Sequence, residues 1–149
     1  MNSNKICLVF PGQGSQKVEM GKHLYENHKI AREVFDEVDE CLNFHLSKLI
    51  FNGPIEKLTQ TENTQPALMA VSIAICRIIE YESGKKIDQI AYAVCGHSLG
   101  EYSALCSVNS LSLFDTTKLL KQRGIAMQNA VDFNKACLLY TSPSPRDGS

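Results

Sequence analysis

Gly96-His97-Ser98-Leu99-Gly100 sets a serine between two glycines, two residues from each. The apolar run Ile90-Ala91-Tyr92-Ala93-Val94-Cys95 leads into it, and Glu101-Tyr102-Ser103-Ala104-Leu105-Cys106 follows with helical character. A strand, a sharp turn tipped by serine and then a helix is the layout of a nucleophile elbow. The turn must be tight, and a side chain at either glycine would collide with the neighbouring strand or helix. The serine hydroxyl would stand in the open at a helix N-terminus. Backbone N–H groups and the helix dipole there favour the negative charge of an acyl-transfer intermediate. Ser98 is therefore a candidate nucleophile. Three fixed positions also occur in ordinary Gly-rich turns, so the elbow alone leaves both readings open.

Arg123 is the second residue of chemical interest. Helical spacing groups it with Leu119 and Met127, each four residues away, and with Leu120. That is an apolar, inward face. A guanidinium there needs an anion, because its unpaired desolvation is very costly. An internal ion pair, for instance with Glu101, or a side chain that snorkels to water would also satisfy it. Gly12-Gln13-Gly14 could be read as a dinucleotide loop, but the G-x-G-x-x-G pattern needs glycine at 17 and Lys17 stands there. His97 adjoins Ser98, yet successive residues at such a turn point different ways, so it is not a candidate base. His23, His28 and His45 show no metal-ligand spacing.

The elements that position these residues are legible from periodicity. Ile6-Cys7-Leu8-Val9-Phe10 reads as a short, fully buried strand, broken by Pro11-Gly12-Gln13-Gly14-Ser15-Gln16. Met20, Leu24, Tyr25, Ile30, Val34, Phe35, Val38 and Leu42 follow at helical spacing, and Leu46, Leu49 and Ile50 continue it. Asn52-Gly53-Pro54 is a turn, and Ile55 to Leu58 reads as one helical turn. Thr64 is expected to N-cap a long helix through about Tyr81, with Pro66 in its first turn and Gly84-Lys85-Lys86 ending it. Its predicted apolar face holds Leu68, Val71, Ala74, Ile75 and Ile78. A strand over 90–95 precedes the elbow. Ser112-x-x-Asp115 is a capping box that opens a last helix through about Val131.

Composition narrows the classes. The 149 residues are 44% hydrophobic, enough for a core. The formal net charge is −1, there is no Trp, and the only adjoining basic residues are Lys85-Lys86, so nothing points to nucleic acid. The longest uncharged run, Asn63 to Cys76, is too short to cross a membrane. Six cysteines lack any C-x-x-C pairing and sit mostly in apolar stretches. They read as reduced, buried small hydrophobes in a reducing compartment, neither metal ligands nor a disulfide framework. From Leu138 to Ser149 the chain turns Pro/Ser-rich. Residues 137–149 are expected to be a disordered tail. Their order resembles a translated cloning or sequencing adapter, so a non-native origin is expected.

A serine elbow suggests an α/β-hydrolase such as an esterase or thioesterase. In that fold several strands precede the elbow, whereas only one convincing strand does so here. Phe10-Pro11-Gly12-Gln13-Gly14-Ser15-Gln16, Thr64-Gln65-Pro66-Ala67-Leu68, Gly96-His97-Ser98-Leu99-Gly100-Glu101-Tyr102-Ser103-Ala104-Leu105 and Arg123-Gly124 with Met127-Gln128 stand in one order. Together they resemble the malonyl-CoA:acyl-carrier-protein transacylase family of the acyltransferase superfamily, over residues 6 to about 131. The resemblance implies an α/β fold of short parallel strands with many helices. It implies Ser98 as nucleophile, the backbone N–H groups of Gln13 and Leu99 as oxyanion hole, Arg123 on the malonyl carboxylate, and Gln65 lining the site. It implies no cofactor and no metal. Malonyl-CoA is the substrate and acyl carrier protein the partner, in fatty-acid synthesis in the cytoplasm. That partner family is acidic, and Lys118 and Lys121 are candidates for a docking patch; a solvated helix face is the plainer reading. The family's base histidine lies well downstream of the arginine helix, and a ferredoxin-like subdomain is inserted there. No histidine follows His97. Residues 1–136 are thus expected to be the N-terminal part of such a domain, marginally stable and without activity alone. A serine hydrolase or a non-catalytic fragment is the alternative, and a cation over the acyl pocket argues against an esterase.

Overall fold

The structure, a computed structural model, describes residues 5–130. It is a helix-rich α/β arrangement around a two-stranded parallel sheet. β1 (Cys7–Phe10) and β2 (Ala93–Gly96) pair in register, Cys7 with Ala93 and Phe10 with Gly96. Between them run α1 (Lys22–Asn27), α2 (Lys29–Leu42), α3 (Leu46–Asn52), α4 (Ile55–Leu58), α5 (Thr61–Ser83) and α6 (Ile87–Ile90). After β2 come α7 (Leu99–Ser107) and α8 (Leu113–Ala130). The expected tail at 137–149 lies outside the described residues, as does Val131.

α5 is the axis of the molecule. Every residue from Asn63 to Ala70 is buried, because α2, α7 and α8 pack around it. α2 presents Ala31, Val34, Phe35 and Val38, the i, i+3, i+4, i+7 stripe that the sequence predicts. Tyr25, Phe35 and Phe51 close that side as an aromatic triad with centroids 5.1–5.8 Å apart in tilted and edge-on contacts. The periodicity over 20–42 is not one helix. His28 at φ −124°, ψ 113° breaks it into α1 and α2, so that two helices wrap the triad instead of one running past it.

Several boundaries differ from expectation. Thr64 is not an N-cap: α5 begins at Thr61, with Gln60 in the capping position accepting the N–H groups of Asn63 and Thr64 at 2.8 Å. Pro66 removes only one helical donor near this end, and tertiary burial holds the extra turn. Leu68, Ala74 and Ile78 are buried as predicted, Val71 is half-buried and Ile75 is exposed. Gly84 at φ 67° ends the helix as expected. The second strand begins at Ala93, because Ile87–Ile90 coil into a helical turn. β1 is not fully buried: Phe10 is, but Val9 is 73% exposed. A sheet of two strands covered on one face leaves the other open, and Ile6 and Tyr92 lie exposed beside it.

The cysteines divide the same way. Cys76 and Cys106 are buried, as the composition suggests, while Cys7 and Cys95 are exposed. Burial pushes the Cys76 thiol up to about 11, helped by the nearby Glu80 charge, so it stays protonated and acts as a small apolar group. Among the described residues no helix is long and apolar enough to cross a membrane. Among the same residues, no group of three or more His, Cys, Asp and Glu is placed to hold a metal ion.

Glu80 ties the end of α5 to α6. It accepts from the Arg77 guanidinium at 2.8 Å and from the Ile87 N–H at 3.1 Å, with Lys86 at 3.5 Å. Burial alone would raise this carboxyl. The Arg77 and Ile87 hydrogen bonds, with the charges of Arg77 and Lys86, outweigh it and hold Glu80 below its ordinary 4.5. A depressed carboxyl stabilises the fold above its unfolded pKa and loses that contribution as pH falls through the folded value. Glu80→Gln should therefore be less stable than the wild type at neutral pH. Urea unfolding across acid pH should show the gap closing below about 4.5, and a constant gap would refute the assignment.

Candidate active site

The elbow is built by backbone approach. A methyl group on Gly96 would overlap the Gly100 carbonyl, and one on Gly100 would overlap the Phe10 carbonyl oxygen. Only glycine at both places lets α7 start directly against the ends of β1 and β2. Ser98 takes the left-handed backbone at φ 56°, ψ −114°, a conformation that costs about 1–3 kcal/mol for a residue with a side chain. The strain is held by bonds on both sides. The His97 N–H donates to Phe10 O at 3.3 Å, Gly100 N–H to His97 O at 2.9 Å and Glu101 N–H to Ser98 O at 3.1 Å.

The Ser98 hydroxyl is not standing free in solvent as the sequence suggests. The residue is half-buried, and its Oγ accepts a hydrogen bond from Arg123 Nη2 at 3.0 Å. Arg123 Nη1 donates to Gln65 Oε1 at 2.8 Å. Gln65 is buried, 1% exposed, and its Nε2 donates to the Met127 sulfur at 3.4 Å. The guanidinium also lies 5.7 Å from the centre of the Tyr102 ring. Three residues 98, 65 and 123 in the chain thus meet in one hydrogen-bonded line. Arg123 is half-buried with neutral acceptors, and no Glu101 pair forms among the described residues. Leu119, expected on the inward face, is 42% exposed; α8 buries Leu113, Thr116, Thr117, Leu120 and Gly124 instead.

α8 reaches that position through Gly124. A methyl group there would lie 2.5 Å from Glu62 Cα and 2.7 Å from Thr61 O, so the two helix backbones are in contact. Lys121 Nζ seals the crossing with Glu62 Oε2 at 2.8 Å and Asn63 Oδ1 at 3.2 Å. Lys121 is therefore paired within the chain, at a half-exposed edge of the crossing. Lys118 is exposed and sits over the Phe114 ring at 4.2 Å. The expected cap opens the helix: Asp115 N–H donates to Ser112 Oγ at 3.0 Å, and Ser112 Oγ donates to Asp115 Oδ2 at 2.6 Å.

The Gln13 loop sits on the other side of the elbow. Ser15 Oγ donates to Gly12 O at 3.0 Å, and Gly14 N–H to Gln16 Oε1 at 2.8 Å. Gln13 and Gln16 reach Thr61 and Thr59 at 3.4 Å, which pins the loop to the start of α5. Gln13 itself is exposed and makes no bond to Ser98. Leu99 is buried and begins α7. Among the described residues no backbone carbonyl accepts the Gln13 or Leu99 N–H. His97 is exposed, with its ring packed where a methyl group on Gly12 would come within 2.6 Å of Nδ1. An apolar groove of about 320 Å³ between β1 and α5, lined by Val9, Phe10, Leu68 and Ile75, includes neither Ser98 nor Arg123. Tyr102 and Thr61 were not foreseen as site neighbours. Tyr102 had a signal, since it stands four residues after Ser98 on the emerging helix. Thr61 had none.

A description of the acyl transferase domain matches residues 7–142. The chain belongs to the acyl transferase domain family. It is 49% identical over 128 residues to a malonyl CoA-acyl carrier protein transacylase of Bacillus subtilis (strain 168), across 86% of this chain and 39% of that protein. A crystal structure of an acyl-carrier-protein-S-malonyltransferase from Bartonella henselae superposes with TM-score 0.81 at 53% identity, across 85% of this chain and 40% of that one. A malonyl-transacylase in complex with a type II PKS acyl-carrier protein superposes with TM-score 0.79 at 39% identity, across 87% and 40%. The chain thus spans about two-fifths of the length of these relatives. Its fold, short parallel strands among many helices with a serine elbow, is that of the acyltransferases.

The α5–α8 contact should be intolerant of a single methyl group. Gly124→Ala meets backbone rather than a flexible side chain, so it should cost about 1–3 kcal/mol. Urea unfolding measures this, and an unchanged midpoint would mean that α8 is not held against Glu62.

Proposed function

We propose that this chain is the nucleophile-bearing part of a malonyl-CoA:acyl-carrier-protein transacylase serving fatty-acid synthesis in the cytoplasm. One observation carries the reading: a guanidinium hydrogen-bonded to the elbow serine, with Arg123 3.0 Å from Ser98 Oγ. A cation fixed at the nucleophile suits an acyl group that brings its own carboxylate. The malonyl carboxylate would replace the neutral hydroxyl as acceptor, and charge-assisted pairs are roughly twice as strong as neutral ones. Gln65 Oε1 accepts from the other guanidinium nitrogen at 2.8 Å and holds the group beside Ser98. The names of the relatives support malonyl-CoA as substrate and acyl carrier protein as partner.

Ser98 Oγ attacks the thioester carbonyl of malonyl-CoA. The C–O bond forms as the carbonyl π pair moves onto oxygen; collapse of that tetrahedral oxyanion then breaks the C–S bond, and the departing coenzyme A sulfur takes back the proton that left the serine. The N–H groups of Gln13 and Leu99 receive the developing oxyanion, which is where the largest share of rate acceleration usually arises. The phosphopantetheine thiol of acyl carrier protein then takes the malonyl group in the reverse sequence. No cofactor or metal has a step. The hydroxyl proton goes to the histidine that the resemblance puts downstream of Arg123. His97, the last histidine of this sequence, packs against Gly12 and cannot serve. Without its base the serine loses most of its reactivity, because such groups act as a unit. A lipase or esterase reading is disfavoured, since a neutral acyl chain would leave the Arg123 charge unpaired.

Mass spectrometry after mixing with malonyl-CoA tests both halves. The 149-residue chain should show no stoichiometric acylation, whereas a polypeptide extended through the downstream histidine should load one malonyl group, lost in Ser98→Ala. Stoichiometric loading of the short chain would overturn its inertness. An extended chain that fails to load would overturn the transacylase reading. In the extended chain, Arg123→Ala should lower kcat/KM for malonyl-CoA by on the order of 10²-fold, the cost of truncating one partner of a desolvated charge pair.

A further inference from the structure

Gly12-Gln13-Gly14 sets one residue between two glycines, and glycine leaves the backbone on either side free to turn. A loop that turns freely is a poor seat for an oxyanion donor, which must hold its direction before charge develops. Side chains supply the missing constraint. Ser15 Oγ donates to Gly12 O at 3.0 Å. The Gly14 N–H donates to Gln16 Oε1 at 2.8 Å, and Gln16 Nε2 reaches Thr59 Oγ1 at 3.4 Å. The two peptide planes that flank Gln13 are thus each held by a side chain from just downstream. We propose that Ser15 is a positioning residue for acyl transfer: its hydroxyl aims the Gln13 N–H by holding the carbonyl of the same peptide. This role rests on the transacylase reading and on the Gln13 N–H as an oxyanion donor.

A trans peptide is planar, so the Gly12 C=O and the Gln13 N–H turn together and point to opposite sides. A bond to the oxygen therefore fixes the direction of the N–H. It also strengthens the N–H as a donor, because hydrogen bonds in a chain polarise one another. Gly14 at φ 111° lets the chain double back so that residue 15 reaches residue 12. The held peptide lies against the elbow: a methyl group on Gly12 would come within 3.1 Å of His97 O, the carbonyl next to Ser98. The Gln13 side chain is engaged elsewhere, with Thr61 Oγ1 at 3.4 Å, so the backbone is what this residue offers the nucleophile. Among the described residues no backbone carbonyl accepts that N–H.

The test is single-turnover acylation of the chain extended through the downstream histidine, by rapid quench and mass spectrometry over a range of malonyl-CoA concentrations. Ser15→Ala should slow the saturated rate by about tenfold, short of the roughly 10²–10³-fold lost when a donor is removed outright, because the N–H remains but is no longer aimed. Half-saturating malonyl-CoA should change by less than about twofold, since the donor acts on the oxyanion and not on the bound thioester. Ser15→Thr keeps the hydroxyl and should restore the rate. Ser15 is exposed, so the Tm of both variants should match the wild type. With a wild type that loads, an unchanged rate in Ser15→Ala overturns the role of Ser15 and leaves the transacylase reading standing. So does a slower rate that comes with weaker half-saturation or a lowered Tm, or that Ser15→Thr fails to restore. A wild type that does not load overturns both.

Discussion

A guanidinium drawn half out of water must find acceptors, and Arg123 finds two, Gln65 Oε1 and Ser98 Oγ. The rest of the site follows from meeting that need. Gln65 must lie at the buried start of α5, α8 must come close enough to deliver the arginine, and the elbow must turn Ser98 inward. Each condition is met by a different local device. The extra first turn of α5 buries Gln65, Gly124 removes the atom that would separate α8 from α5, and two glycines let the elbow fold against β1. The neutral hydroxyl and amide are weaker partners than a carboxylate would be. Together they hold the cation in place.

The polar character of the α5 N-terminus is the cost of this arrangement. Asn63, Thr64 and Gln65 are all buried, and a core there could have been apolar. Asn63 is satisfied by Lys57 O and by Lys121, and Glu62 is paired with Lys121. The bonded members of such a group fix one geometry, while Thr64 Oγ1 is buried with no partner among the described residues. Here the network sets the crossing of α5 and α8, and so the place of Arg123. The opposite end of α5 uses a similar device, with Glu80 joining Arg77 to the Ile87 N–H.

The sheet is the less finished part. Helices cover one face, through Phe10 and its neighbours, while Val9, Cys7 and Cys95 stay exposed on the other. The relatives are about two and a half times longer than the part matched here, at about 40% coverage. An open apolar face marks a surface that larger proteins cover.

The sequence by itself determined the elbow, the cap at Ser112, the stripe of α2, the stop at Gly84 and the membership of the acyltransferases. These are local: glycine spacing, capping residues and periodicity act within one or two turns of chain. It also named Ser98, Gln65 and Arg123. The tertiary structure decided that they touch, because residues 65, 98 and 123 come from three elements that only packing brings together. It also decided what periodicity misjudged. Thr64 lies inside a helix because burial outweighs its capping preference, and Leu119 faces out because the Gly124 contact rotates α8. Lys121 pairs with Glu62, and Cys7 and Cys95 are exposed because a two-stranded sheet has a face that nothing here covers.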